Sequence, residues 1–441
     1  MSAYAKYQKI NLPWLKAIPA HWEVQRNKNI FTEQKEIVGK KSSDYTLLSL
    51  TLSGIVPRDM DGGGKFPESF DKYKIVRNGD MAFCLFDIDE TPRTVGLSGH
   101  DGMLTGAYTI MHVSNINSRF IYYYYLALDN GKMLKPLYSG LRKTININTF
   151  QSTKVPVPPR DEQDQIVRFL DWKVSSINKL ISVKQKQIAD LKEFMQAEIE
   201  KQLYAYPVEE TVRLKQLGTF FKGGGFSREN LVEEEGHPAI LYGDIYTQYE
   251  YKTAVINHSI DGAAYSASRK ISKGDIVMAG TGETKDEIGK SILYTGDEIV
   301  AAGGDVIVFH PNEGINVEYL LYQLYSQAAL KHRYINGKGD IIVHIYPTAL
   351  GNTIIALPRA ENQKKAVERI NEIIDQVKRT IAVLTDEISV LREYRVRLTA
   401  DTVTGKIDVR DIEIPEYEYV EEAVDTETED GNENEFDEQE D

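Results

Sequence analysis

The chain has 441 residues, which is more than one compact core usually holds and predicts two or more domains. A single cysteine, Cys84, excludes an internal disulfide and fits a reducing compartment. The net charge of −14 is concentrated in residues 411–441, which hold 16 acidic residues and no Lys or Arg, so residues 1–410 carry +2. Such a segment has too little apolar surface to fold, and we expect a disordered acidic tail over 413–441.

No apolar run is long enough to span a bilayer, and the N-terminus lacks the basic start and apolar stretch of a signal peptide. We therefore expect a cytoplasmic protein that does not bind membranes. The 8 histidines are scattered without ligand spacing, and one cysteine does not support a zinc site, so we expect no metal site.

In chain order, the sequence predicts a strand-rich region, a long helix, a second strand-rich region and a second long helix. Short apolar runs bounded by Gly, Asn and Asp predict strands at 80–86, 108–113, 275–279 and 306–309. Short helices are predicted at 121–128 and 319–325. The consecutive tyrosines at 122–125 are expected to pack the first short helix onto a sheet.

The two halves of the chain repeat each other at a distance of about 200 residues. The matching segments are 74–80 and 270–275, 155–159 and 354–358, 159–162 and 358–361, and 191–194 and 391–394. Each half contains one strand-rich region and one long helix. The sequence therefore predicts an α+β protein with a pseudo-two-fold internal repeat.

Both long helical stretches carry a heptad seam, in which apolar residues fall on alternating steps of four and three. The first seam includes Leu170, Ile177, Ile181 and Leu191, and the second includes Ile381, Leu384, Ile388 and Leu391. Lys184 interrupts the first seam and Arg395 the second. Because each seam exposes a long apolar stripe, the other seam is its predicted partner. The alternative is two unrelated amphipathic helices on separate domains.

One stretch of the second half suggests an alternative, catalytic function. Residues 280–291 end in the tripeptide GKS of a phosphate-binding loop, but Thr284 stands where that motif requires glycine. Asp275, together with the Glu-x-Lys that begins at Glu283, fits the loose spacing of metal-dependent nucleases. The alternative hypothesis is therefore a nuclease or NTPase with a site around residues 275–291, and the favoured hypothesis is a non-catalytic protein.

Four places along the chain carry a family resemblance. They are WLKAIPAHWE at 14–23, FKGGGFSR at 221–228, the stretch 274–290, and LREYRVRL at 391–398 with VTGKIDVR at 403–410. Together with two globular halves that each precede a long helix, they resemble the specificity (DNA-recognition, S) subunit of type I restriction–modification enzymes. The resemblance covers the chain except for the acidic tail.

The resemblance implies two β-rich target-recognition domains separated by a pair of long antiparallel coiled-coil helices. The implied segments are target-recognition domain 1 at 1–159, spacer helix 1 at 160–204, target-recognition domain 2 at 205–358, spacer helix 2 at 359–400, an exit segment at 401–412 and the tail at 413–441. Each domain is expected to bind one part of a split, gapped site in double-stranded DNA.

The resemblance also implies partners. Two methyltransferase subunits would dock on the helices, and two ATP-dependent restriction (translocase) subunits can join them. The methyltransferase would hold S-adenosylmethionine, and the restriction subunit would use ATP with Mg, so no cofactor is assigned to this chain. The seam residues named above are the predicted subunit interface.

DNA recognition requires cations for phosphates and flat or hydrogen-bonding side chains for base edges, and we predict these in Gly-rich loops. The predicted contacts are Lys65, Arg93, Arg142 and Lys143 in the first half, and Lys222, Arg228, Lys285, Lys290, Arg333 and Lys338 in the second half, with Asn336 and Tyr242 for base edges or stacking. A coiled-coil scaffold without a DNA function would leave both β-rich halves unexplained. Sequence-specific DNA binding, which the resemblance implies, is the favoured function.

Overall fold

The computed structural model describes residues 2–58, 67, 69–139, 143–233 and 236–421. The chain divides into two compact units, unit 1 (Met1–Lys186 with Leu384–Asp441) and unit 2 (Gln187–Val383). Among the described residues, no helix has both the length and the apolar character needed to cross a membrane.

Unit 1 consists of short strands and two helices that precede the first long helix. Its elements are β1 (Tyr7–Leu12), β2 (Leu15–Pro19), β3 (Glu23–Arg26), β4 (Phe31–Gln34), β5 (Leu48–Thr51), β6 (Gly54–Pro57), β7 (Lys74–Val76), β8 (Met81–Phe83), β9 (Val95–Leu97), β10 (Gly102–Leu104), β11 (Thr109–Val113), α1 (Ser118–Asn130), α2 (Ile147–Ser152), β12 (Lys154–Val157) and the long α3 (Arg160–Leu203), which continues into unit 2. The main sheet has the order β4-β11-β8-β9 and is antiparallel throughout.

Aromatic side chains fill the space between this sheet and the helices α1 and α2. Phe83, Tyr125 and Phe150 are almost fully buried, and the rings of Phe83 and Tyr125 lie 5.1 Å apart in an edge-to-face arrangement. Tyr123 and Tyr124 are buried as well. The prediction that these tyrosines pack a short helix onto a sheet is confirmed.

Unit 2 contains more strands than unit 1 and two five-stranded sheets. Its elements are β13 (Glu210–Arg213), β14 (Gly218–Lys222), β15 (Leu231–Val232), β16 (His237–Ile240), α4 (Tyr242–Thr247), β17 (Lys252–Thr253), β18 (His258–Ile260), α5 (Gly262–Ala267), β19 (Arg269–Ile271), β20 (Ile276–Ala279), β21 (Thr281–Gly282), β22 (Ser291–Tyr294), β23 (Val300–Ala302), β24 (Val306–Pro311), α6 (Val317–Leu324), α7 (Gln327–Asn336), β25 (Val343–His344), α8 (Pro347–Leu350), β26 (Ile354–Leu357) and the long α9 (Ala360–Val403), which continues into unit 1. The sheets have the orders β14-β24-β20-β22-β17 and β15-β18-β16-β23-β19.

Both units share a buried aspartate at the start of an equivalent strand. In unit 1, Asp80 accepts the backbone N–H of Arg77 at 3.0 Å and lies 3.0 Å from Nδ1 of His112. In unit 2, Asp275 closes the same turn and lies 2.6 Å from Nδ1 of His310. The sheet order β4-β11-β8-β9 also returns as β14-β24-β20-β22. These matches confirm the internal repeat.

Within unit 1, the first part of α3 and the last part of α9 run antiparallel. Asn178 accepts a hydrogen bond from Arg395 at 2.7 Å, and the ammonium of Lys184 lies 2.5 Å from the carboxylate of Glu387. Residue numbers thus rise along one helix while they fall along the other. Both interruptions of the apolar seam, Lys184 and Arg395, have polar partners on the opposite helix.

Within unit 2, the last part of α3 and the first part of α9 share one core with the sheet. Met195 and Ile199 of α3 and Ile370 and Ile374 of α9 belong to the same buried cluster.

α9 ends at Val403, beyond the predicted end at 400.

The segment after α9 is hydrogen-bonded to α3 within unit 1. The side-chain amide of Gln165 donates to the carbonyls of Val409 and Ile412 at 3.0 and 2.8 Å, and the hydroxyl of Ser175 donates to the carbonyl of Glu418 at 2.9 Å. The expected disorder therefore does not extend to residues 413–421, because this stretch is held by its backbone rather than by apolar side chains. The rest of the predicted tail, 422–441, lies outside the described residues.

Candidate nucleic-acid interface

One surface of unit 2 combines several of the segments predicted to bind DNA. Because β21 pairs with β25, the hydroxyl of Thr281 lies 2.9 Å from Nδ1 of His344. Helix α4 lies against this pair, since a Cβ on Gly282 would stand 2.6 Å from the hydroxyl oxygen of Tyr246. We call this surface the loop face of unit 2, and it comprises α4, the loop 283–290 and the hairpin 338–344.

Four of the predicted contacts are open to solvent on or beside the loop face. Lys338 and Arg228 are exposed, and Tyr242 is 39% exposed at the start of α4. The ammonium of Lys285 lies 3.8 Å from the carboxylate of Asp340, which is a long ion pair between the loop and the hairpin. Cationic side chains and a hydrogen-bonding aromatic ring at one surface are the groups that phosphates and base edges require.

Three other predicted contacts of unit 2 bond to the protein itself. Arg333 is only 3% exposed and donates to the carbonyl of Gly289 at 2.8 Å. Burial lowers the pKa of Arg333 and also that of Lys290, whose ammonium donates to the carbonyl of Tyr246 at 3.0 Å. Asn336 donates to a carbonyl of its own helix. Arg333 and Lys290 therefore hold the loop 283–290 in place, and the side chain of Arg333 is not accessible to DNA.

The remaining described cations of the prediction are paired with carboxylates. The pairs are Lys222–Asp305 at 2.7 Å, Arg93–Asp129 at 3.1 Å and Lys143–Asp89 at 3.4 Å. The hydrogen bond from Lys222 lowers the pKa of Asp305, so this pair stays ionised in mildly acidic solution. Arg93 is mostly buried and joins Asp129 to a loop carbonyl, which gives it a structural role. Lys65 and Arg142 lie outside the described residues.

The structure gives residues 275–291 a structural explanation in place of a catalytic one. A phosphate-binding loop leads into a helix, whereas Lys290 leads into strand β22. The carboxylate of Asp275 is 2% exposed and engaged by its turn and by His310, while Glu283 lies in the exposed loop. Among the described residues, no group of three or more His, Cys, Asp or Glu side chains is arranged to hold a metal ion.

The predicted subunit-interface residues lie inside the chain's own helix pairs. Leu170, Ile177, Ile181 and Ile388 are buried, Leu384 and Leu391 are half-buried, and Leu191 and Ile381 pack against the core of unit 2. Their side chains are therefore occupied by intramolecular packing. The helix faces that remain open to a partner mix polar residues with large exposed apolar side chains, such as Leu180, Phe194 and Val390, which the heptad seams do not include.

The sequence analysis also missed an apolar tip on the loop face. Ile341 is 89% exposed and Ile342 is 57% exposed, whereas the neighbouring Val343 and Ile345 are each 2% exposed. Successive side chains of a strand point to opposite faces, so adjacent isoleucines beside a turn are a signal that one of them faces solvent. Adjacent exposed apolar side chains mark interaction surfaces more often than single scattered ones do.

Comparison with known proteins identifies one family. The family described as type I restriction modification DNA specificity domain matches residues 103–193 and 208–392, more than half of the chain. The type I restriction enzyme MjaVIII specificity subunit of Methanocaldococcus jannaschii is 25% identical, and the alignment covers 90% of this chain and 95% of that protein. The chain therefore belongs to the type I restriction–modification DNA specificity family. The two matched regions fit two target-recognition domains.

A solved structure with a TM-score above 0.5 shares the fold. A chain from a structure that concerns complex assembly and conformational transition of the type I R-M system superposes with a TM-score of 0.61 at 14% identity, over 88% of this chain and 99% of that chain. The HsdS subunit from Thermoanaerobacter tengcongensis superposes with a TM-score of 0.45 at 16% identity, over 88% and 98% of the two chains. Membership of the specificity family makes this chain a non-catalytic DNA-recognition subunit, and the comparisons give no support to the nuclease or NTPase alternative.

Proposed function

We propose that each unit binds one part of a split DNA site and that the chain presents this site to two methyltransferase subunits. The observation that supports this most directly is the repeat. In each unit, the residues that follow the equivalent strand, β8 or β20, pair with a short segment from later in the same unit. Phe86 pairs with Thr144 in unit 1, and Thr281 pairs with His344 in unit 2. Two related surfaces on one chain suit a DNA site that consists of two half-sites, separated by base pairs that the protein does not recognise.

In the proposed complex, this chain supplies recognition and its partners supply chemistry. The methyltransferase subunits hold S-adenosylmethionine, and restriction subunits, where present, use ATP with Mg. Membership of the type I restriction–modification DNA specificity family supports a role within such a complex. We propose that the complex acts in the cytoplasm, where it meets DNA.

The exposed groups on and beside the loop face of unit 2 are the proposed DNA contacts of the second half. Arg228 and Lys338 provide charge for phosphates, and Tyr242 provides a flat, polar ring for base edges or stacking. Because these three side chains are exposed, their removal tests recognition without disturbing the core.

The decisive experiment maps methylated positions in a host that carries this gene and its methyltransferase gene but no other methyltransferase. We expect two short half-sites separated by a gap of constant length. Arg228→Ala with Lys338→Ala should weaken methylation of that motif without creating activity in the protein alone. A continuous, ungapped motif would contradict the proposal, as would methylation by the purified chain with S-adenosylmethionine only.

A further inference from the structure

The segment after α9 forms a strap on one face of α3 in unit 1. We define the C-terminal strap as residues 412–420. The hydroxyl of Ser175 donates to the carbonyl of Glu418 at 2.9 Å and accepts the N–H of Val420 at 2.7 Å, while the side-chain amide of Asn178 donates to the carbonyl of Val420 at 3.2 Å. Ser175 is 1% and Asn178 is 6% exposed, so the strap covers both side chains.

The strap is attached mainly through its backbone. Its larger side chains remain open, since Tyr417 is 39% and Tyr419 is 55% exposed. Lys179 pairs with Glu418 at 3.5 Å, but both side chains are well exposed, and such pairs contribute little. A segment that buries few apolar side chains is readily displaced by a partner that offers more contact.

The repeat places an equivalent helix face in unit 2, shifted by 200 residues. The side chain of Gln163 donates to the carbonyl of Pro158 at 2.8 Å, and that of Gln363 donates to the carbonyl of Pro358 at 2.8 Å. The shift of 200 therefore holds at the start of both helices.

The same shift holds further along the helices. The hydroxyl of Tyr123 lies 2.7 Å from Asp171, and the hydroxyl of Tyr322 lies 2.5 Å from Asn371. The face of α3 beneath the strap thus corresponds residue by residue to a face of α9.

On α9, the equivalent face is open. Asp375 stands where α3 has Ser175, and Arg379 stands where it has Lys179. Both are exposed and border a shallow groove of about 680 Å³, whose other lining residues are Glu368, Asn371, Glu372, Gln376 and Thr380. Within the described residues of unit 2, this groove contains no counterpart of the strap, because the chain after α3 leads directly to β13.

We propose that these two equivalent helix faces are the docking positions of the two methyltransferase subunits, and that the C-terminal strap masks the one on α3. This inference rests on the proposed function, which supplies the identity of the partner. The open face on α9 accepts the first methyltransferase, and the second must displace the strap from α3. The subunits are therefore acquired in order, with unequal affinity.

The charge of the open face indicates which kind of partner surface can bind there. Glu368, Glu372 and Asp375 line the groove with Arg379, and Arg369 pairs with Glu372 at 2.8 Å, so the groove lining keeps a small negative charge. The acidic residues 422–441 of the same chain would be repelled there. A partner surface with Lys or Arg and hydrogen-bond donors fits it, and this is the chemistry that we assign to the methyltransferase side of the contact.

The test compares two truncations of the full chain, each mixed with the methyltransferase subunit of its own system and analysed by native mass spectrometry over a range of concentrations. Truncation after Asp411 removes the strap and the acidic residues beyond it, whereas truncation after Glu421 removes only 422–441. We expect the first truncation to strengthen binding of the second methyltransferase by about tenfold or more, since it removes the competing backbone hydrogen bonds. The second truncation should behave like the full chain.

Two point variants keep the test independent of truncation. Val420→Pro removes the N–H that donates to Ser175 and should also favour the second methyltransferase. Asp375→Arg with Glu372→Arg should weaken the first binding step and leave the effect of the strap on the second unchanged. Circular dichroism and thermal unfolding of each variant confirm that it is folded.

The outcomes separate the two proposals. No binding of the methyltransferase by any form of the chain would refute the proposed function. Two binding steps that neither the truncation after Asp411 nor Val420→Pro alters would refute the strap alone. Equally strong binding of the second methyltransferase after truncation at Glu421 would show that tail charge, not the strap, causes the effect. Dimers of this chain formed through the open face would show that the occupant is a second copy rather than the methyltransferase. Either result would overturn the inference.

Discussion

Asn178 joins three segments of unit 1 through one side-chain amide. Its Oδ1 accepts a hydrogen bond from Arg395 of α9 at 2.7 Å, and its Nδ2 donates to the carbonyl of Val420 at 3.2 Å. Arg395 is the residue at which the apolar seam of α9 is interrupted, so a polar pair replaces an apolar contact between antiparallel helices. Asn178 therefore links the helix pair and the strap.

Asn178→Leu should lower the free energy of unfolding by about 1–3 kcal/mol, because it removes one hydrogen-bond partner of a partly buried guanidinium. The double variant Asn178→Leu with Arg395→Leu should recover most of this loss, since two apolar side chains of similar size continue the seam. Urea denaturation of the two single variants and the double variant measures the coupling. Additive losses would show that the pair does not interact.

Arg333 should matter for stability rather than for DNA recognition. Arg333→Ala removes one of the two side-chain donors to the carbonyl of Gly289, the other being the hydroxyl of Ser291, and opens a cavity, so we expect a loss of about 2–4 kcal/mol. The exposed Lys338→Ala should change stability by less than about 0.5 kcal/mol. Thermal unfolding compares them, and a stable Arg333→Ala protein with altered DNA specificity would contradict this assignment.

The exposed cations of unit 2 should control DNA affinity and its dependence on salt. Arg228→Ala and Lys338→Ala should each weaken binding and reduce the slope of log affinity against log salt by about 1. Lys201→Ala is the matched control, because Lys201 is an exposed cation of α3 that pairs with Glu198. Fluorescence anisotropy with duplex DNA at several salt concentrations measures all three. An unchanged slope for both loop-face variants would exclude phosphate contacts there.

Cys84 should be unreactive while the protein is folded. It is 2% exposed, and burial raises the pKa of its thiol, so the reactive thiolate is scarce at neutral pH. A thiol-specific reagent should modify it only as denaturant unfolds the chain, and the rate of modification should follow unfolding. Rapid labelling without denaturant would show that unit 1 opens locally near β8.

Features that depend on chain periodicity could be predicted from the sequence. The seam residues Leu170 and Ile177 are buried where the heptads place them, and the matching turns at Asp80 and Asp275 were visible as a repeated segment. Both features could be predicted because they involve residues that are close in sequence or spaced by helical geometry.

The assignment of individual loop cations could not be predicted in the same way. Arg333 and Lys338 belong to the same region of sequence, yet one is buried and the other exposed. Their difference arises from packing against Gly289, which is 44 residues away from Arg333. The strap was not predicted for a related reason. Ser175 and Asn178 bind its backbone, and backbone groups are the same in almost every residue type, so the sequence does not reveal these contacts.

The matching hydrogen bonds of Gln163 to Pro158 and of Gln363 to Pro358 mark equivalent junctions between a recognition unit and its long helix. A genetic crossover at either junction would preserve the start of the long helix, whichever recognition loops the exchanged segment carries. Recognition surfaces can then be exchanged as modules between related genes while the helices keep their pairing. New DNA targets would arise by recombination in one step, without the gradual accumulation of mutations in a folded core.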